Sequence, residues 1–252
     1  MDWNEHVDRY CERTSDAFWA EPLGAASNIA YLVAAVAVWR MLSGRPGVPL
    51  SVGFMPPLMA LIGAGSFAFH TLANRWSMLA DVTPIGLFVL CFLASFLHWF
   101  HGMAWRRCLL GVAAFVGAAA AFGVLVGRHV PNGSGLYVPV LLAIVGITVA
   151  LAASRDRELA GYWPAFAAAG AVFAGALFAR TIDQEVCASV PVGTHFVWHI
   201  LTGCLLFLVG RALVRRWRSL AGAGGQPAAV PGANGNRPRS GRDGRQGGPG
   251  EG

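Results

Sequence analysis

The sequence predicts an all-α integral membrane bundle of seven transmembrane helices. Three observations carry that expectation. Apolar side chains make up 55% of the 252 residues and charged ones 13%, against roughly 25% charged in a soluble domain. The apolar residues fall into seven runs of roughly 20, the length that crosses a hydrocarbon core as a helix. The remaining charges collect at the ends of those runs, where chain meets water.

Residues 1–23 are acidic and aromatic-rich. They are expected to form a short helix at the interface, because Trp3, Tyr10, Phe18 and Trp19 are of the types favoured at headgroup level. The first span, 24–43, carries Arg40 and Arg45 at its end, and the second, 50–70, closes on His70. Arg75 precedes the third, 79–100, which opens with Asp81, and Arg106 and Arg107 begin the fourth, 104–126. Gly133 and Gly135 mark the next loop as a turn, without a phosphate-binding pattern. The fifth and sixth spans, 136–153 and 160–179, are Ala/Gly-rich, and small residues let helices pack closely in lipid. The seventh, 194–214, opens on His195 and His199. Residues 24–214 therefore form one domain with short loops. From Ser219 to Gly252 the chain is rich in Gly, Pro and Arg, cannot bury enough surface to order itself, and is expected to be a disordered tail.

The formal charge of +6 does not point to nucleic acid, because the basic residues mark span ends rather than one stripe. All nineteen are arginine. The absence of lysine excludes a retinal-binding seven-helix protein, which needs a lysine for its Schiff base. One membrane side has ten arginines near the spans: Arg40, Arg45, Arg106, Arg107, Arg155, Arg157, Arg211, Arg215, Arg216 and Arg218. The other has five: Arg9, Arg13, Arg75, Arg128 and Arg180. That bias predicts a cytoplasmic C-terminus and an external N-terminus. The first twenty residues lack the basic-then-apolar pattern of a cleavable signal peptide. The five cysteines have no zinc-ribbon or redox spacing. Cys91, Cys108 and Cys204 are expected as small apolar fillers. Cys11 and Cys187 share the outer side, where a disulfide is permitted; two free thiols are the alternative.

Polar groups at membrane depth are costly and mark function. His195 and His199, spaced i, i+4, lie on one helix face and can bind one metal together. His70 completes a three-nitrogen set and leaves a fourth tetrahedral position for water. Taken singly, His70 could be an interfacial polar residue, Asp81 a partner of Arg75, and His195 and His199 a packing pair. Together with Ser66, four residues before His70, all five fall at the same predicted side, which favours a zinc site. His98 and His101 lie at the opposite face, and His6 and His129 in loops; these four are expected as surface residues.

The stretches Gly63–His70 (GAGSFAFH), Asp81, and His195–His199 (HFVWH) resemble the alkaline ceramidases and their superfamily, which includes the adiponectin-receptor-like and Per1-like membrane proteins. Tyr10–Arg13 (YCER), Ala20–Pro22 (AEP) and Ser27–Asn28 resemble the ceramidase branch in particular, and the resemblance covers about residues 8–214. It implies zinc held by His70, His195 and His199, with Asp81 and Ser66 as catalytic residues. It also implies a calcium site from Asp8, Glu12 and Glu21, since clustered carboxylate oxygens suit calcium. Here the sequence departs from the family, with Asp-Arg-Tyr-Cys-Glu where the animal enzymes have Asp-Trp-Cys-Glu, so these acids could instead form a solvated face balanced by Arg9 and Arg13. The implied activity is hydrolysis of the N-acyl bond of ceramide or a related lipid amide. A receptor-like member of the same fold with a structural zinc is the alternative. Arginine as the sole strong base, with abundant Ala and Gly, points to a GC-rich bacterial genome. The expected location is then a bacterial inner membrane, and the lipid need not be a sphingolipid. Substrate and membrane lipids are the partners implied; no protein partner is.

Overall fold

The structure, a computed structural model, describes residues 2–224. Helices α1 (Pro22–Ser27) and α2 (Ile29–Leu42) form the first span, and α3 (Leu50–Gly53) and α4 (Met55–Leu72) the second. Helices α5 (Arg75–His101) and α6 (Trp105–Leu125) are the third and fourth. Two tight helical turns, Gly127–His129 and Pro131–Leu136, lead into α7 (Val138–Ala152). Helices α8 (Arg157–Ala160) and α9 (Trp163–Val186) make the sixth span, and α10 (His195–Gly224) the seventh. All seven are long and apolar enough to cross a membrane. Among the described residues there is no strand, only an isolated antiparallel bridge between His6 and Asn74.

The spans begin and end on recognisable signals. Pro22, Pro56, Pro139 and Pro164 sit in first helical turns, where a missing N–H costs nothing. At α5 the Asn74 side chain accepts from Ser77 N at 3.0 Å while the Ser77 hydroxyl accepts from Asn74 N at 3.1 Å, a reciprocal cap. That polar cap starts the helix at Arg75, earlier than the apolar run at 79 suggests. Helix α9 likewise continues past 179 and carries Arg180 and Asp183 to Val186.

The seventh span also outruns its apolar run. Trp217 is buried, Arg216 Nη1 pairs with Glu158 at 2.7 Å, and its Nε donates to Trp99 O at 3.1 Å. These contacts hold the helix to Gly224, so residues 219–224 are helical rather than the start of a tail. The rest of the expected tail, 225–252, lies outside the described residues.

Helix α10 packs against α2, α5 and α9, and α4 against α2 and α5, around buried Tyr31, Val38, Met55, Met59, Ile62 and Leu213. Helix α6 is peripheral, with Leu109, Leu110, Val124 and Leu125 exposed. An outward apolar face of this kind suits lipid.

The N-terminal segment is not the expected interfacial helix. It runs as turns and extended chain across one end of the bundle, with Val7 N donating to Ala73 O at 2.8 Å and Arg75 N to Glu5 O at 3.2 Å. Trp3, Phe18 and Trp19 are exposed, as headgroup-level residues should be, but Tyr10 is buried. Cys11 and Cys187 form a disulfide, with Cα atoms 5.3 Å apart. The bridge fastens this segment to the chain just beyond α9.

Candidate metal centre

His70 near the end of α4 and His195 and His199 in the first turns of α10 bring their imidazoles together, all three buried. One nitrogen from each lies within 4.8 Å of the others. Among the described residues this is the one group of three or more metal-ligating side chains so gathered. Two of the rings are held by a hydrogen bond to Nδ1. The Glu21 carboxylate binds His70 Nδ1, and Ser27 Oγ lies 2.8 Å from His199 Nδ1. Such contacts fix the ring orientation and the tautomer of a metal-binding histidine. His70 Nε2 and His195 Nδ1 have no hydrogen-bond partner. Buried polar atoms are otherwise almost always satisfied, so two orphaned ring nitrogens facing a third fit a metal of tetrahedral nitrogen preference such as zinc.

Ser66 and Asp81 are also here. Ser66 Oγ lies 3.4 Å from His199 Nε2 and within hydrogen-bonding reach of the half-buried Asp81 carboxyl. Gly65 makes the meeting possible. A Cβ there would stand 2.0 Å from Ala80 O, so only glycine lets α4 and α5 touch backbone to backbone at this level.

Asp183 fixes the entry to α10. It is fully buried and accepts from Cys11 N at 3.1 Å, from Thr194 N at 2.6 Å and from His195 N at 2.9 Å. One carboxylate thus ties the N-terminal segment, the end of α9 and the turn of α10 that carries His195 together. Gly193 precedes that turn at φ +62, and a Cβ on it would meet Asp183 Oδ1 at 2.2 Å. The Tyr10 ring then stacks on His195 with centroids 3.5 Å apart.

The three acids expected to hold calcium are not assembled for it. Asp8 is exposed. Glu12 accepts from Leu23 N at 2.6 Å through one oxygen and from Gly24 N at 2.7 Å through the other. Glu21 gives one oxygen to Arg13 and the other to His70. Burial pushes the Glu21 carboxyl up to about 7 while the Arg13 guanidinium pulls it down. Arg13 is buried and also donates to Ser15 O at 3.1 Å and His70 O at 3.0 Å. A guanidinium already occupies the oxygen-rich niche where a divalent cation would be expected, so the donor set does not fit calcium.

The structure brings His70, His195, His199, Ser66 and Asp81 together, and turns Glu21 to Arg13 and His70 rather than to Asp8 and Glu12. Sequence reasoning missed Ser27, Tyr10 and Asp183. Asp183 carried the same signal as the histidines, an ionisable residue next to an apolar run. His98, expected at the surface, is half-buried, its Nδ1 2.8 Å from Met103 O and its ring stacked on Trp105.

A seven-span helical bundle with three buried imidazoles, a carboxyl and a hydroxyl gathered at one end defines a polytopic membrane protein with a candidate metal centre. The sequence profile of the Ceramidase family matches residues 7–220, and the chain belongs to that family. None of the curated proteins compared with it matches the chain.

Proposed function

We propose that the protein is a zinc-dependent integral-membrane amidase that hydrolyses the N-acyl bond of ceramide or a related lipid amide, releasing a fatty acid and a free amine. The observation that carries this reading is the convergence of three imidazoles, two with unpartnered nitrogens, beside a carboxyl and a hydroxyl. Membership of the Ceramidase family supports a hydrolase of this kind. A structural metal needs neither Asp81 nor Ser66 at its side, so these two residues favour catalysis over a receptor-like role.

His70, His195 and His199 would hold the zinc, which when bound would supply Lewis acidity toward the amide carbonyl and would lower the pKa of water from about 15.7 to about 7. Asp81 takes the proton of the attacking water and delivers it to the leaving nitrogen. The Ser66 hydroxyl donates to the carbonyl oxygen as it gains negative charge, a contact worth roughly 2.7–4 kcal/mol where such donors have been removed. Glu21 and Ser27 hold the outer nitrogens of His70 and His199, leaving the inner ones to the metal. The acyl chain lies in an apolar cavity of about 270 Å³ between the spans, lined by Tyr31, Ile62, Phe88, Trp198, Thr202 and Leu205 among others. Trp198 and Thr202 flank His199 on α10, so the cavity begins beside the metal ligands.

The arginine bias and the Cys11–Cys187 bridge both favour an external N-terminus in a bacterial inner membrane, since disulfides persist in oxidising compartments. The test is purification in detergent, elemental analysis, and mass-spectrometric product screening over a panel of N-acyl lipids. One zinc per chain with release of a fatty acid is the expected result. Stoichiometric zinc with no lipid amide cleaved would favour the receptor-like reading.

A further inference from the structure

Among the described residues three arginines are buried, and two of them meet an acid. Arg13 pairs with Glu21 and Arg216 with Glu158. Arg180, near the end of α9, does not. It is 8% exposed, and among the described residues no carboxylate comes within 4.0 Å of its guanidinium. Asp81 acts on it only from beyond that distance. Nη1 donates to the Tyr10 hydroxyl at 2.7 Å, and Nε has no partner at all. Three aromatic rings surround the cation instead, with Cζ 5.6 Å from the centroid of Tyr10, 5.2 Å from Tyr137 and 5.3 Å from Trp198. Ring faces attract a cation without neutralising it. A guanidinium with a free edge is the group best shaped for a two-oxygen anion.

Its place in the molecule says which part of a ligand it would meet. Tyr10, which accepts from the Arg180 guanidinium, and Asn132, whose Nδ2 donates to the Arg180 backbone carbonyl, line an outer hollow of about 1080 Å³. Tyr137 and Trp198, whose rings face the guanidinium, line the apolar cavity. Arg180 therefore lies among the residues that separate the two spaces, behind Tyr10 on one side and Tyr137 and Trp198 on the other. Tyr10 touches both sides, its hydroxyl accepting from Arg180 and its ring stacked on His195.

We infer that Arg180 is the receptor for an anionic headgroup on the amine half of the lipid amide. The substrate is then an N-acyl lipid whose amine moiety carries a carboxylate or a phosphate, rather than a neutral ceramide. With the acyl chain in the apolar cavity and the amide at the histidines, the amine half extends toward the outer hollow, and its anion meets the unpartnered edge of Arg180. The choice of cleaved bond rests on the amidase reading; the anion receptor does not.

Binding of sulfonamide analogues, which resist hydrolysis, tests this on the purified full-length, zinc-loaded protein by calorimetry. Hexadecylsulfonyl-glycine, hexadecylsulfonyl-phosphoethanolamine and the neutral hexadecylsulfonyl-ethanolamine share one tail. An anionic analogue should bind at least about tenfold more tightly than the neutral one, as a charge-assisted contact requires. Arg180→Gln should remove the preference for an anionic analogue over the neutral one, and Arg180→Lys should keep part of it. Whichever anionic analogue binds more tightly identifies the carboxylate or the phosphate. If Arg180→Gln fails to fold, the wild-type preference and the lysine variant decide. Equal wild-type affinities, or a folded Arg180→Gln that keeps the preference, would overturn the inference. So would palmitate binding that depends on Arg180 while the analogues do not, because the arginine would then serve the released acid. An intact preference without hydrolysis of any lipid amide would leave the receptor standing and defeat the amidase.

Discussion

The bond between Glu21 and His70 Nδ1 decides which nitrogen of that ring remains for a metal. Glu21→Gln should therefore weaken zinc binding by about 10–100-fold, the usual effect of losing such a partner, measured by competition with a chromophoric chelator. His70→Ala, His195→Ala and His199→Ala should each abolish stoichiometric zinc; full zinc in all three by elemental analysis would refute the ligand assignment. Asp81→Asn keeps the volume of the side chain and removes the base. Zinc should stay while turnover of lipid amide falls by roughly 10²–10⁴, and an unchanged rate would remove Asp81 from the chemistry. The histidines were legible in the sequence because a polar group inside an apolar run stands out against its neighbours. Glu21, Ser27 and Arg13 were not legible in their roles, since each acts through a partner distant along the chain, and no local pattern records such a pairing.

Among the elements, the spans were the most legible part of the fold and their ends the least. Hydropathy finds the apolar body of α5 but is blind to the Asn74–Ser77 cap, and it loses α9 where Arg180 and Asp183 enter, although the helix continues. The N-terminal segment was expected as an interfacial helix because Trp3, Tyr10, Phe18 and Trp19 are of the types favoured at headgroup level. Its hydrogen bonds go instead to the bundle, through Asp183 and the α4–α5 turn. Two predictions belong to this segment. Reducing the Cys11–Cys187 bridge should cost about 2–4 kcal/mol of stability, typical for a long closed loop, read as a fall in Tm. Added calcium should leave Tm unchanged, because Arg13 already fills the oxygen-rich niche; a saturable upward shift with calcium would contradict that reading.

At the scale of the whole molecule, five arginines on the outer side looked like weak orientation signals. Two of them, Arg13 and Arg180, are buried within the protein, which strengthens the bias of the rest. Reporter fusions after Arg218 should behave as cytoplasmic and fusions before Met1 as external; the reverse would turn the metal centre to the cytoplasmic face. The distribution of the metal ligands has a further consequence for biogenesis. His70 comes from the second span and the other two histidines from the last, with Asp183 and Cys187 between them. A ribosome inserting this chain in order releases the first ligand long before the others exist. If these three histidines hold zinc as proposed, no partial product could do so, and zinc acquisition would mark the end of assembly. A chain stopped after its sixth span would thus be an apo-protein by construction, and its zinc content would report whether synthesis had finished.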